Sequence, residues 1–318
     1  MEKSDYRIAL FLFGLFTAIY WATFGGHTYS PDEEMIYYVT EGIIERGSLA
    51  VPAKTETSSI STGARGADGK NYAITGILQS LLAIPFYLIG RIVADIFPAG
   101  FQAYWTRFFV NSLNGLVGGA IVGLLYLSGR WLGYQHLTSL FLSISIGLST
   151  FIHIYSRTFF SEPLVTLWLL LSIYAAFSYR RSSRPGWGVI LGLALGLAVA
   201  TKPQASIAGI SFVIYLIIVS IKDYSEWKYR LVWLRNITLY SIIGAAVPIV
   251  LVLLYNYIRF RNPFETGYTA ILPLSYFRGA GLEAIYGFLF SSGKSFFLYA
   301  PPTIMGLLGT RLLFQRHP

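Results

Sequence analysis

Eight apolar stretches, at residues 8–24, 108–128, 137–154, 162–178, 187–201, 204–221, 237–257 and 296–314, dominate this chain. Each approaches the roughly 20 residues that a helix needs to cross the hydrocarbon core of a bilayer. With 54% of its 318 residues hydrophobic and only 12% charged, the apolar surplus exceeds what a water-soluble core absorbs. Backbone polar groups in lipid must bond within their own segment. The expected fold is therefore all-α, a polytopic helical bundle of about eight spans and a single membrane domain over residues 1–318.

Charge sets the topology. Lys and Arg in short loops tend to stay cytoplasmic, and the short basic loops are Arg180, Arg181 and Arg184, then Lys222, Lys228, Arg230 and Arg235, then Arg311 and Arg316. They fall on one side with Lys3 and Arg7 only if a ninth apolar stretch, 77–97, does not cross. Pro85 and Gly90 interrupt that stretch, and Arg91 and Asp95 are spaced to pair on one helix face, which suits an interfacial helix. Both termini are then cytoplasmic. Residues 25–106 form a long first extracytoplasmic loop with interfacial helices, and 258–295 form a second. Eleven of the fifteen carboxylates lie on that outer side.

The formal net charge of +9 is spread over loops on both sides, which argues against nucleic-acid binding. The first apolar run is longer than the ~7–15 residues of a signal peptide and lacks a small-x-small cleavage site, so it reads as a retained anchor. The absence of cysteine excludes disulfides and thiol catalysis.

Ser30-Pro31-Asp32-Glu33-Glu34 opens an amphipathic helix. Ser30 suits the N-cap, Pro31 the first turn, and Glu33 the third position of a capping box, while the acids favour the positive helix end. The same rigid start also presents an acid able to accept a proton from an incoming hydroxyl. Residues 155–163 form an outer hairpin in which Ser161 caps the next helix and Arg157 is placed to pair with Glu162. Alternatively, Glu162 adds a second carboxylate to the pocket of Asp32. Lys202, before Pro203, either snorkels to the interface or meets a phosphate. Arg259, Arg261 and Lys294 are cations suited to an anionic head group. Gly293-Lys294-Ser295 is not a nucleotide phosphate loop, because five residues rather than four separate Gly287 from Gly293 and no strand precedes it. His27, His136, His153 and His317 are scattered without metal-ligand spacing.

Taken in order, these motifs resemble the GT-C membrane glycosyltransferases, the group that includes protein O-mannosyltransferases, aminoarabinose transferases and related polyprenyl-phosphate-dependent enzymes. The residues carrying the resemblance are Pro31-Asp32-Glu33; Glu45-Arg46-Gly47; Lys70-Asn71-Tyr72-Ala73; residues 81–87; Arg157 with Glu162-Pro163; Thr201-Lys202-Pro203; residues 256–268; and Gly293-Lys294-Ser295 with residues 299–302. Ser292 stands where relatives have proline, and Lys294 where arginine is common. Relatives generally run through further spans, so the chain reads as a short or truncated version.

The resemblance implies that Asp32 is the catalytic base, with Glu33 and Glu162 as further catalytic carboxylates. It implies substrate binding by Lys70, Tyr72, Arg157, Lys202, Arg259, Glu265, Tyr268 and Lys294. The implied donor is a sugar on a polyprenyl phosphate and the acceptor a glycan, lipid or protein hydroxyl. Membrane lipids are the other partners and nucleic acid is not one. A divalent cation bridging acids and phosphate is compatible with this chemistry, although no ligand set is legible. The implied setting is the plasma membrane of a bacterium or archaeon. Two rival readings remain: a lipid or sugar transporter or flippase, which would place ionisable residues near the midplane of its spans, and a noncatalytic assembly subunit.

Overall fold

The computed structural model describes residues 2–54, 63–268, 281–293 and 295–316. These are mostly helical with almost no sheet, as expected of an all-α polytopic membrane protein. The helices are α1 (Lys3–Thr23), α2 (Pro31–Arg46), α3 (Leu78–Ala94), α4 (Gln102–Trp131), α5 (His136–Leu148), α6 (Phe151–Tyr155), α7 (Glu162–Ser182), α8 (Pro185–Thr201), α9 (Ser206–Asp223), α10 (Trp227–Phe260), α11 (Gly281–Phe290), α12 (Phe296–Tyr299) and α13 (Pro302–Arg316). A two-residue hairpin, β1 (Ala64–Arg65) antiparallel to β2 (Asn71–Tyr72), lies between α2 and α3.

Among the described residues, five helical segments are long and apolar enough to cross a membrane: Lys3–Thr23, Gln102–Trp131, Glu162–Ser182, Pro203–Asp223 and Trp227–Phe260. The other three expected spans are shorter or broken. Residues 137–154 divide into α5 and α6, because Thr150 accepts a hydrogen bond from the Ile152 N–H and restarts the helix. Residues 187–201 fall in the 17-residue α8. Residues 296–314 divide into α12 and α13 around Ala300-Pro301. The ambiguous stretch becomes α3, 17 residues with Pro85 inside. Its Arg91 pairs with Glu45 of α2, at 2.6 Å, rather than with the expected Asp95. A carboxylate from a neighbouring helix displaces the one a turn away.

Contacts divide the chain into two units. In the unit of Met1–Phe24, Asn114–Arg157 and Leu272–Pro318, α1 packs against α4 through Ala9, Leu12, Phe16, Tyr20, Val122 and Tyr126. Gly119 and Gly123 of α4 admit the backbone of Phe13 and Ala9. Asp5 is fully buried there, accepting from Arg130 Nε at 2.7 Å.

The unit of Gly25–Leu113 and Thr158–Ile271 holds α2, α3 and α7–α10. Gly188, Gly192 and Gly196 recur every fourth residue on α8 and bring it against Tyr240, Ser241 and Pro248 of α10. Small residues at this spacing allow close helix approach where lipid offers no hydrophobic drive to association. A second apolar core joins α2, the residues around the hairpin and the end of α10, through Met35, Val39, Val51, Ala73, Ile77 and Tyr255.

Candidate functional site

The start of α2 follows its sequence signals closely. Ser30 accepts from the Glu33 N–H, Pro31 takes the first turn, and Gly47 ends the helix in the left-handed region at φ 56°. The expected capping box is only half made. The Glu33 side chain turns away to accept from the Tyr29 N–H at 3.4 Å and the Phe159 N–H at 3.1 Å, both through Oε2.

The three consecutive acids therefore have three environments. Asp32 is exposed and its carboxylate makes no hydrogen bond among the described residues. Glu33 is fully buried, and its Oε1 has no hydrogen-bond partner among the described residues. Glu34 is buried and accepts from Thr28 Oγ1 at 3.3 Å. Burial pushes the Glu33 carboxyl up to about 7, against the lowering effect of its backbone donors. Asp32 is also raised, by the crowding of protein around it; Lys202 draws it down and Glu162 pushes it up.

Glu162 opens α7, and Lys202 lies between α8 and the turn Pro203–Ala205. Forty residues apart, they form an ion pair at 2.6 Å (Lys202 Nζ to Glu162 Oε1), each side chain about one-third exposed. Glu162 Oε2 is buried without a hydrogen-bond partner. Burial works against the Lys202 charge, but the Glu162 hydrogen bond and charge more than offset it and hold the ammonium above the ordinary lysine value, with smaller help from Tyr268 and Asp32.

Backbone restraint fixes this cluster. The Phe159-Phe160 segment preceding Glu162 gives its Phe159 N–H to Glu33 and both carbonyls to Gln79 Nε2, at 2.7 and 3.2 Å. Gln79 is completely buried at the start of α3. Gly76 lies so close to the Ala200 and Thr201 carbonyls that a Cβ would collide with them, and Lys202 follows directly. Sequence reasoning did not select Gln79 or Gly76. The only available signal for Gln79 was an amide within an apolar helix start, since a buried polar group needs a partner.

The other expected site residues are distributed differently. Arg259 is 2% exposed. Its guanidinium donates to the carbonyls of Ala73 and Tyr255 and to Asn256 Oδ1, and stacks over Tyr255 at 3.6 Å. Its own carbonyl accepts from the Ala67 N–H. Arg259 thus ties the β1–β2 hairpin to the end of α10. Tyr72 is buried and donates to Asp68 Oδ2 at 2.9 Å, while Lys70 is exposed at the hairpin turn, 3.7 Å from Asp68. Glu265 Oε1 accepts from the Gly267 N–H at 2.7 Å. Arg157 belongs to the other unit, where it donates to the Thr23 carbonyl at 2.8 Å. Lys294 lies outside the described residues.

Among the described residues no three His, Asp or Glu side chains gather as a metal ion requires; Lys202 is ion-paired with Glu162 and feels the Asp32 charge more weakly. What the cluster can do is accept a proton at Asp32 and hold an anionic oxygen at Lys202.

Comparison with curated proteins finds no match. Residues 84–251, more than half of the chain, match the dolichyl-phosphate-mannose-protein mannosyltransferase family, so the chain belongs to that family, as an integral membrane glycosyltransferase of the GT-C type.

Proposed function

We propose that this glycosyltransferase moves a hexose from a polyprenyl phosphate to an acceptor hydroxyl, with Asp32 as general base. One observation carries the reading. Asp32 is the acid of its triplet that is exposed and free of hydrogen bonds among the described residues, and it lies within electrostatic reach of the Lys202–Glu162 pair. A base with a raised pKa takes a hydroxyl proton more readily near neutral pH.

In the proposed step the acceptor O–H gives its proton to the Asp32 carboxylate. The acceptor oxygen forms the new bond to the anomeric carbon as the bond from that carbon to the phosphate oxygen breaks. The electron pair leaves with the polyprenyl phosphate, whose charge the Lys202 ammonium stabilises. The anomeric carbon passes through an oxocarbenium-like state. Attack opposite the leaving group inverts the configuration. Because the phosphate is a good leaving group, positioning accounts for much of the remaining acceleration. The distribution of short basic loops supports an extracytoplasmic site, in the plasma membrane of a bacterium or archaeon.

The test is transfer of radiolabelled sugar from polyprenyl phosphate to a hydroxyl acceptor by the purified chain in proteoliposomes. Asp32→Asn is expected to lower the rate ~10²–10⁴-fold, the usual contribution of a general base, with a melting midpoint no lower than that of the wild type. Retained activity in Asp32→Asn removes the assignment. Labelled donor that crosses the bilayer without forming a new bond identifies a transporter instead.

A further inference from the structure

A cavity of about 410 Å³ opens between the later turns of α2, the second half of α3 and the start of α4. Tyr37, Glu41, Glu45, Tyr87, Arg91 and Gln102 are among its lining residues. Nine residues separate Asp32 from Glu41. At 100° per residue this puts them on opposite faces of α2, about 14 Å apart along the axis. The cavity is therefore distinct from the site described above.

Its walls carry both signs of charge with bonding capacity to spare. Glu45 accepts from Tyr87 Oη at 2.9 Å and from Arg91 Nη1 at 2.6 and 2.8 Å. Arg91 makes these bonds through Nη1 alone, and its side chain is 47% exposed. Glu41 bonds Arg46 through Oε2 at 2.9 Å, and its Oε1 makes no hydrogen bond among the described residues. A purely anionic ligand would meet Glu41 and Glu45; a purely cationic one would meet Arg91. A ligand carrying both charges satisfies both.

Neighbouring residues narrow the class further. Ile92, Ile96, Phe97, Phe101 and Tyr104, interleaved in sequence with the lining Arg91, Ala94, Gly100, Gln102 and Ala103, are all exposed large apolar or aromatic side chains. In an integral membrane protein such residues meet acyl chains and the interfacial zone. A polar cavity beside them suits an amphiphile rather than a free sugar.

We propose that this cavity binds the head group of a zwitterionic aminophospholipid. The phosphate oxygens take the free Arg91 donors, since guanidinium and phosphate match well, and the primary ammonium donates to Glu41. Glu41 and Glu45, which holds Arg91, are four residues apart, ~6 Å along the helix, a spacing that suits the two-carbon link between ammonium and phosphate. The acyl chains run along Ile92 and Ile96. The site is independent of the transferase reading.

The experiment is titration of the full chain in detergent with phosphatidylethanolamine, phosphatidylcholine or phosphatidylglycerol, read as bound-lipid mass by native mass spectrometry. Phosphatidylethanolamine is expected to bind at least tenfold more tightly than the other two, because the trimethylated ammonium lacks N–H donors and glycerol lacks the cation. Glu41→Gln should weaken it about tenfold and erase the preference. Ala103→Trp, which fills the cavity without removing a charge, should abolish it at an unchanged melting midpoint. Equal binding of all three lipids overturns the proposal, as does a preference that survives both substitutions. Competition by a soluble methyl mannoside at the same site also overturns it, in favour of a sugar.

Discussion

Glu33 makes a stability claim that can be measured without substrate. Raising its carboxyl from the ordinary 4.5 to about 7 is worth about 3 kcal/mol between its two protonation states. The folded protein then binds this proton more tightly than the unfolded chain does. By linkage, the contribution is fully present below pH 4.5, falls as pH rises towards 7, and is gone above that. The limiting slope is ~1.4 kcal/mol per pH unit. Asp32 is raised as well and acts in the same direction, so Asp32→Asn isolates the share of Glu33.

Glu33→Gln fixes the neutral form while keeping an oxygen for the Phe159 N–H. It also places an amide N–H where Oε1 has no partner among the described residues, at a cost of ~1–3 kcal/mol. The discriminating quantity is therefore the pH slope, not the absolute midpoint. Scanning fluorimetry of the detergent-solubilised protein on its seven tryptophans, from pH 5 to 8, should give a falling midpoint for the wild type and an almost flat one for Asp32→Asn/Glu33→Gln. Asp32→Asn/Glu33→Ala, which leaves the buried Phe159 N–H bare, should be less stable by ~1–3 kcal/mol across the whole range. If the wild-type midpoint rises with pH, or the double variant with Gln keeps the full slope, the assignment of a buried carboxyl with a raised pKa at Glu33 is wrong.

Two further outcomes follow from packing. Gly192→Ala should destabilise by ~1–3 kcal/mol, because its Cβ would run into the Ser241 carbonyl of α10, whereas Gly186→Ala, with open space around it, should not; equal melting midpoints for the two would refute the close α8–α10 contact. Arg259→Lys should cost ~1–3 kcal/mol for each buried acceptor it leaves bare, at Ala73 and Asn256, while the KM for the lipid-linked donor changes less than threefold. A tenfold KM increase at an unaltered midpoint would instead make Arg259 a donor contact.

Element starts were legible where the signal is local. Ser30-Pro31 begins α2 and Gly47 ends it, as a capping residue and a left-handed glycine do in any helix. Thr150 and Pro301-Pro302 were equally visible, but an apolar window of 18 or 19 residues averages across them, and two broken segments therefore read as continuous spans. Arg259 shows the opposite difficulty. An arginine near the end of a long apolar helix has the local chemistry of an anion contact. What engages it is Ala73, 186 residues earlier in the chain, and no sequence window contains both. Glu162 was legible as an Arg157 partner or a second carboxylate and Lys202 as an interfacial cation, whereas their pairing with each other depends on α7 and α8 lying side by side.

The acidic triplet that marks this chain is a single feature only in one dimension. On a helix each successive side chain turns by about 100°, so the three neighbours cannot share one environment. The turn leaves Asp32 exposed, sends Glu33 to the Phe159 N–H and Glu34 to Thr28. Two of the three acids are thereby committed to structure, and that structure serves the remaining one. Glu33 and Gln79 hold the Phe159-Phe160 backbone from its N–H and C=O sides, Glu162 follows two residues on, and Glu162 holds Lys202. The chain of restraint that begins at residue 33 therefore ends at the two charged groups that act on residue 32. Disturbing Glu33 should move the pH dependence of any reaction at Asp32 as well as the stability of the fold, whereas disturbing Glu34, which is buried and accepts from Thr28, should move chiefly the stability.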